Sequence, residues 1–377
     1  MLLFKNATIL NDKFLFQKGD LLVENDKIKK IGRDLQADGA EVFDLQGKYL
    51  IPGLIDIHTH GCAGRDTSDG NYDDLKTMSR FQAQNGVTSY CPTTMTLPEE
   101  VLTKVFKGIA KYVKEENEGS NILGINMEGP YFSAAKKGAQ NGAWLANPDV
   151  AQFRRLNKAA EGLIKLCDIA PELPGSEEFI REVKDEVKLS IAHTAASYEI
   201  AKKALELGVC HCTHLYNAMS GMSHRDPGVA GAIMDSDARA ELICDGIHIH
   251  QAVIRNTYRI FTDNRICLIS DSMRATGMPD GEYDLGGQNV IVHGTTATLK
   301  DGTLAGSATN LMGCVKKAIE FGIPMESAVK TATITSAEEI GEDDKVGSIK
   351  TGKQADLVVW DKDLNVEMVF IKGKKFK

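Results

Sequence analysis

The chain has 377 residues, 42% hydrophobic and 6% aromatic, with 44 basic against 52 acidic side chains and a formal charge of −8. That balance, with no basic run beyond Lys372, Lys374, Lys375 and Lys377, disfavours a nucleic-acid partner, because phosphate-backbone affinity needs a concentrated basic face. No stretch approaches the ~18 apolar residues of a membrane span, no secretory leader pattern opens the chain, and eight scattered cysteines do not make a disulfide framework, so a reduced, cytoplasmic globular protein is expected.

Residues 2–10, 20–31 and 42–50 read as short strands separated by turn signals such as Asn25-Asp26 and Gly47-Lys48. Residues 355–360 and 366–371 read the same way. The expectation is a small β-sandwich domain built from both termini, residues 1–51 and 348–377.

Residues 52–347 alternate between apolar runs and helical segments. Eight strand candidates stand at 54–57, 87–91, 122–127, 166–169, 189–192, 209–213, 240–244 and 266–269. Helices between them carry end signals: a stop before Gly86, Asn147 as a cap with Pro148 at the first helical position, and Ser197 opening a helix that ends at Gly208. This pattern predicts an α/β fold, a (β/α)₈ TIM-type barrel. The competing doubly wound sheet lacks a Gly-rich phosphate loop after its first strand.

Barrel enzymes carry their chemistry where strands end. His58 and His60 follow the first run, Glu128 the third, His193 the fifth and His214 the sixth. Asp245, His248 and His250 follow the seventh, and Asp271 the eighth. Strand alternation places Asp56, His58 and His60 on one side, toward the barrel mouth. The same parity points Cys210 and Cys212 inward as packing and His211 out toward the helices. His224 and His293 fall outside the strand-end set. A lone His-x-His is weak; joined to Glu128, His193, His214 and Asp271 it predicts a site for Zn²⁺ or Fe²⁺, with Mn²⁺ or Co²⁺ less suited.

The run Pro52-Gly-Leu-Ile-Asp56-Ile-His58-Thr-His60, with the later histidines and Asp271, resembles the amidohydrolase superfamily. Met127-Glu128-Gly-Pro130, Lys136 to Gln140, Ala192 to Ala195, Thr213 to Met219, Arg225 to Gly228, Asp245 to His248 and Ser270-Asp271 are similar to its N-acetylglucosamine-6-phosphate deacetylase branch, over nearly the whole chain. The resemblance implies Glu128, His193 and His214 as ligands of a main divalent metal. It implies a second metal on His58 and His60, with Asp271 and Glu128 completing it, so one or two metals per subunit. Asp271 becomes the general base and acid, and His248 a hydrogen-bond donor to the carbonyl oxygen or the sugar.

Gln140 stands where some members have a histidine that touches the sugar, and is expected, with Ala139, Asn217 and Ala218, on the substrate side. Arg225 is expected on the substrate phosphate of a neighbouring subunit, which implies a homodimer. Residues 131–147 form a long insertion, expected as a lid or pocket wall. The implied reaction is hydrolysis of the acetamide of N-acetyl-D-glucosamine 6-phosphate to D-glucosamine 6-phosphate and acetate. The rivals are another N-acylated amino sugar, a cyclic amide, and a non-catalytic assembly protein on the same barrel; the last is disfavoured because no ligand position is lost.

Overall fold

Eight short parallel strands form the centre of the computed structural model, which describes residues 1–115 and 118–377. They are β1 (Leu54–Thr59), β2 (Val87–Thr94), β3 (Ile125–Met127), β4 (Ile164–Ile169), β5 (Lys188–Ile191), β6 (His211–Cys212), β7 (Arg239–Ile243) and β8 (Ile266–Ile269). Hydrogen bonding runs in chain order from β1 to β8, and a parallel bridge from Thr59 to Ser272 brings the two ends together. The barrel predicted from the alternation is therefore the observed fold.

Ten helices among the described residues accompany the strands, with α1 (Tyr72–Gln84), α3 (Val150–Ala159) and α5 (Tyr198–Leu207) as the ones forecast. The Ser197 hydroxyl accepts from the Ile200 amide, and Gly86 follows α1 with φ 82°. The α3 start is corrected. Asp149, not Asn147, caps it: its carboxylate accepts the Gln152 amide at 2.8 Å. Pro148 precedes the cap instead of opening the helix, because a carboxylate one residue later reaches the free amide.

The barrel interior is apolar below the mouth. Ile55, Ile57, Cys91, Leu166, Ile243, Cys267 and Ile269 pack together and are closed by Ala337, Ile340 and Val346, around helix α10 (Ile334–Glu339). Each fully buried aliphatic side chain there contributes ~1.5–3 kcal/mol. Charged groups set among them need a separate reason to be present.

The strands from both ends form one continuous eight-stranded sheet. Its first strand, Leu2–Leu10, pairs in parallel with Glu41–Asp44 and then with Tyr49–Pro52. The strand Leu357–Trp360 continues on the far side of Tyr49–Pro52. The expected sandwich is thus a single sheet wrapped around its own core of Phe4, Leu21, Val23, Leu357 and Phe370. The expectation that residues 20–31 hold strand structure resolves into a hairpin, Phe16–Glu24 with Lys27–Gly32. After β8 the chain adds three antiparallel strands, Gly281–Leu285, Gln288–His293 and Thr296–Thr298, which the sequence reading did not anticipate. Among the described residues, no helix is long and apolar enough to cross a membrane, and all eight cysteines are free thiols.

Candidate metal centre

Two groups of buried ligands stand side by side at the barrel mouth: Glu128 with His193 and His214, and His58 with His60 and Asp271. Each residue leaves its strand at the C-terminal end. In the first group, Glu128 Oε1 lies 3.1 Å from His193 Nε2 and 3.1 Å from His214 Nε2. In the second, Asp271 Oδ1 lies 3.6 Å from His58 Nε2 and 3.4 Å from His60 Nε2. Glu128 joins the groups, because its Oε2 lies 3.3 Å from His60 Nε2.

The backbone is bent to make this convergence. His193, His214 and Asp271 have φ of 43°, 28° and 48°, in the left-handed region. A non-glycine residue there costs ~1–2 kcal/mol, and such strain gathers at functional sites. Neighbouring backbone holds it in place: Ser133 N donates to His193 O at 3.0 Å, and Ser307 N donates to Asp271 O at 2.7 Å. On β1, strict alternation fails. Ile55 and Ile57 join the inner cluster, while Asp56 turns to Ser270, whose Oγ donates to Asp56 Oδ2 at 2.5 Å. The β1–β2 register shifts between Asp56 and Thr59, and the bulge swings His58 and His60 to the mouth.

The parity expected for residues 210–214 is also reversed. His211 is fully buried, with its Nε2 3.3 Å from Glu241 Oε1, while Cys212 packs in the cluster that includes the helices. His214 reaches the mouth only because the chain turns at the end of β6. His224 and His293 are exposed and belong to neither ligand group.

Electrostatics tie the site together. Burial penalises the Glu128 carboxylate, but hydrogen bonds from His193, His214 and His60 hold it well below the usual carboxylate range. Burial likewise opposes charge on His60, yet its bonds to Asp271 and Glu128 push it up to about 10. Burial also opposes charge on Asp271, but the hydrogen bond from His60 and the nearby His58 and His214 hold its carboxyl below the ordinary range. His193 Nδ1 donates to Lys136 O at 3.0 Å, which leaves Nε2 facing Glu128. His58 Nε2 is buried and has no hydrogen-bond partner among the described residues. An orphaned imidazole nitrogen aimed at carboxylates fits a divalent cation, and the mixed nitrogen and oxygen donors suit such an ion.

A cavity of about 260 Å³ opens over the ligands. Ala139, Gln140, Asn217, Ala218 and His248 line it, as expected, and so do Met95, Leu285 and Leu304, which sequence reasoning missed. Leu285 arrives on the added three-stranded sheet, whose approach to the mouth has no signature in local pattern. Gln140 is more than a wall residue. Its Nε2 donates to Glu128 Oε2 at 2.6 Å, and its Oε1 accepts from Thr96 N at 2.7 Å. His248 Nδ1 donates to Asp245 Oδ2 at 2.7 Å. Arg225 is exposed and does not line the cavity. Residues 131–147 include two short turns, Ala134–Lys136 and Gly142–Trp144, and carry Gly138 and Gln140 into the wall.

The amidohydrolase family model matches residues 49–376, which takes in every ligand above. The chain belongs to the amidohydrolase family. It is 36% identical to N-acetylglucosamine-6-phosphate deacetylase of Bacillus subtilis, over 99% of this chain and 96% of that protein. It is 34% identical to N-acetylgalactosamine-6-phosphate deacetylase of Escherichia coli O157:H7, over 88% of this chain and 89% of that one. The crystal structure of N-acetylglucosamine-6-phosphate deacetylase from Pasteurella multocida superimposes with a TM-score of 0.94 at 31% identity, covering 99% of each chain. The strand-end ligands sit on the rigid barrel, while the cavity walls come from the loops and the added sheet that follow its strands.

Proposed function

We propose that this amidohydrolase removes the acetyl group from N-acetyl-D-glucosamine 6-phosphate, giving D-glucosamine 6-phosphate and acetate. The observation that carries the reading is the pair of ligand groups meeting at Glu128 under the cavity, in a chain similar over its length to deacetylases of phosphorylated amino sugars.

Glu128, His193 and His214 would hold a main divalent cation, and His58, His60 and Asp271 a second. Zn²⁺ and Fe²⁺ match the donor set best. A divalent cation supplies Lewis acidity, acidifying water and polarising the acetyl carbonyl. The chain's own residues do the rest. The Asp271 carboxylate, held ionised by His58 and His60, takes the proton of the attacking water and returns it to the departing amine nitrogen. His248, fixed through Nδ1 by Asp245, presents Nε2 to the carbonyl oxygen, where negative charge develops. Ala139, Gln140, Asn217 and Ala218 bound the sugar.

The chain's net charge of −8 gives the phosphate no general attraction, so a local cation has to meet it. Arg225, whose planar fork suits phosphate, is too exposed to serve its own cavity and would serve that of a second copy in a homodimer. These roles fit a cytoplasmic enzyme of amino-sugar breakdown.

Acetate release by purified, metal-loaded protein tests the reading. N-acetylglucosamine 6-phosphate should be hydrolysed far faster than the unphosphorylated sugar; no acetate from any phosphorylated N-acetyl amino sugar overturns it. The relative from Escherichia coli O157:H7 favours N-acetylgalactosamine 6-phosphate as the second reading, and a higher kcat/KM for that epimer would select it.

A further inference from the structure

Fully buried carboxylates interrupt the barrel strands, Asp56 on β1, Asp168 on β4 and Glu241 on β7, and Glu241 is the one bonded to ligands of both groups. It is fully buried and does not line the cavity over the ligands. A carboxylate in such a place is costly, and well-packed apolar side chains of the same volume are often at least as stable there. Its contacts show what it does. Glu241 Oε2 accepts from His58 Nδ1 at 2.8 Å and from the His214 backbone N–H at 3.1 Å. One oxygen thus holds the ring of a ligand in one group and the strained backbone of a ligand in the other.

The other oxygen, Oε1, lies 3.3 Å from His211 Nε2, and His211 Nδ1 lies 3.4 Å from Glu339 Oε1 on α10. Glu339 Oε2 in turn lies 3.3 Å from Arg239 Nη1. A line of close polar contacts therefore runs from His58 down through the barrel to half-buried Arg239, with His211 packed directly beneath Glu241.

We propose that Glu241, braced by His211, is a positioning residue that commits this chain to a second metal. With Nδ1 as the donor to Glu241, the His58 tautomer is set and Nε2 carries the lone pair, which is the atom facing Asp271 and Glu128. A carboxylate behind a ligating imidazole also raises its basicity. The inference rests on the metal-dependent reading above and concerns the His58 ring; the contact on the other side is to the His214 backbone N–H, which a glutamine oxygen can also accept.

The test is metal binding by the full chain, followed by mass spectrometry of bound zinc and by chelator competition. The unsubstituted protein should take up two zinc ions. Glu241→Gln should keep the tighter ion and bind the second ~10–100-fold more weakly, the loss expected when such an outer partner is changed. Two ions at unchanged affinity in Glu241→Gln would overturn the inference and leave the metal reading standing. A single ion in the unsubstituted protein would overturn the inference with the two-metal reading, and no bound ion would also remove the metal reading. A merely structural Glu241 would lower the melting temperature without touching the second affinity. Should Glu241→Gln not fold, ¹⁵N-histidine spectra of the zinc-loaded unsubstituted protein decide: His58 protonated on Nδ1 supports the inference, and His58 bound through Nδ1 overturns it.

Discussion

Gln140 Nε2 donates to Glu128 Oε2 at 2.6 Å, so a wall residue of the cavity is bonded directly to the carboxylate shared by both ligand groups. The same side chain accepts from Thr96 N at 2.7 Å. Gln140→Leu keeps the volume but leaves a backbone donor and a carboxylate oxygen without this partner. Leaving a buried polar group unpaired costs ~1–3 kcal/mol. We expect a lower melting temperature and a drop in kcat, with KM for the phosphorylated sugar little changed. A rise in KM with kcat intact would return Gln140 to the role of a simple sugar contact.

Asp271 sits in the second ligand group, yet the first group does not need it. Asp271→Asn should retain at least one metal ion per chain, read by elemental analysis, because Glu128, His193 and His214 stay in place. It should lower kcat by ~10²–10⁴-fold, the usual worth of a positioned proton-transfer group. Near-normal turnover would dismiss Asp271 as the base.

How much of this was legible beforehand depends on where each residue lies along its strand. The eight strands were readable because buried parallel strands are short, largely apolar runs between helical segments, and the ligands were findable because they follow those runs. Orientation was not readable near the ends. His193, His214 and Asp271 leave extended geometry for positive φ, and β1 bulges after Asp56, so counting by twos assigned His211 and Cys212 to the wrong faces. Glu241 gave no spacing signal, since a lone acid inside an apolar strand shows its purpose only when His58 arrives from 183 residues away.

Asp245 and His248 make a pair whose pH behaviour can be forecast. Burial works against charge on His248, but the hydrogen bond and charge of Asp245 outweigh it and raise its pKa. A raised histidine stays protonated to higher pH, so its contribution to stability is complete below the unfolded value of ~6.5 and fades as pH climbs through the folded value. With His248 as cationic donor to the carbonyl oxygen, kcat/KM should fall on the alkaline side through that same folded value. Asp245→Asn removes the carboxylate and should shift the alkaline limb to lower pH. A profile of kcat/KM against pH that does not move would disconnect the pair from catalysis.

Arg225 stands on an exposed segment and lines no part of its own cavity. Its proposed task is across a dimer, on the phosphate of the substrate. A hydrogen bond to a charged group is worth ~1.5–3 kcal/mol, so Arg225→Ala should raise KM for the 6-phosphate about ten- to a hundredfold while leaving the unphosphorylated sugar unaffected. Sedimentation should show a dimer for both proteins. Equal effects on both sugars, or a monomer that is fully active, would remove the arginine from phosphate recognition.

Gly138 gives a steric test of the wall on the His193 side. Its φ is 53°, and a Cβ there would stand 3.3 Å from His193 Cε1 and 3.6 Å from His193 Nδ1. That nitrogen is the one donating to Lys136 O, the bond that aims Nε2 at Glu128. Gly138→Ala therefore adds backbone strain, of order 1–2 kcal/mol for a residue with a side chain in this region, and presses on a ligand at the same time. Strain alone would lower the melting temperature and leave zinc affinity unchanged. Displacement of His193 would weaken the tighter zinc ion as well, because the imidazole can shift only by giving up either Lys136 O or the approach to Glu128. We expect both losses, measured by thermal denaturation and by chelator competition, and a variant that binds the tighter ion normally would show that the loop yields before the histidine does.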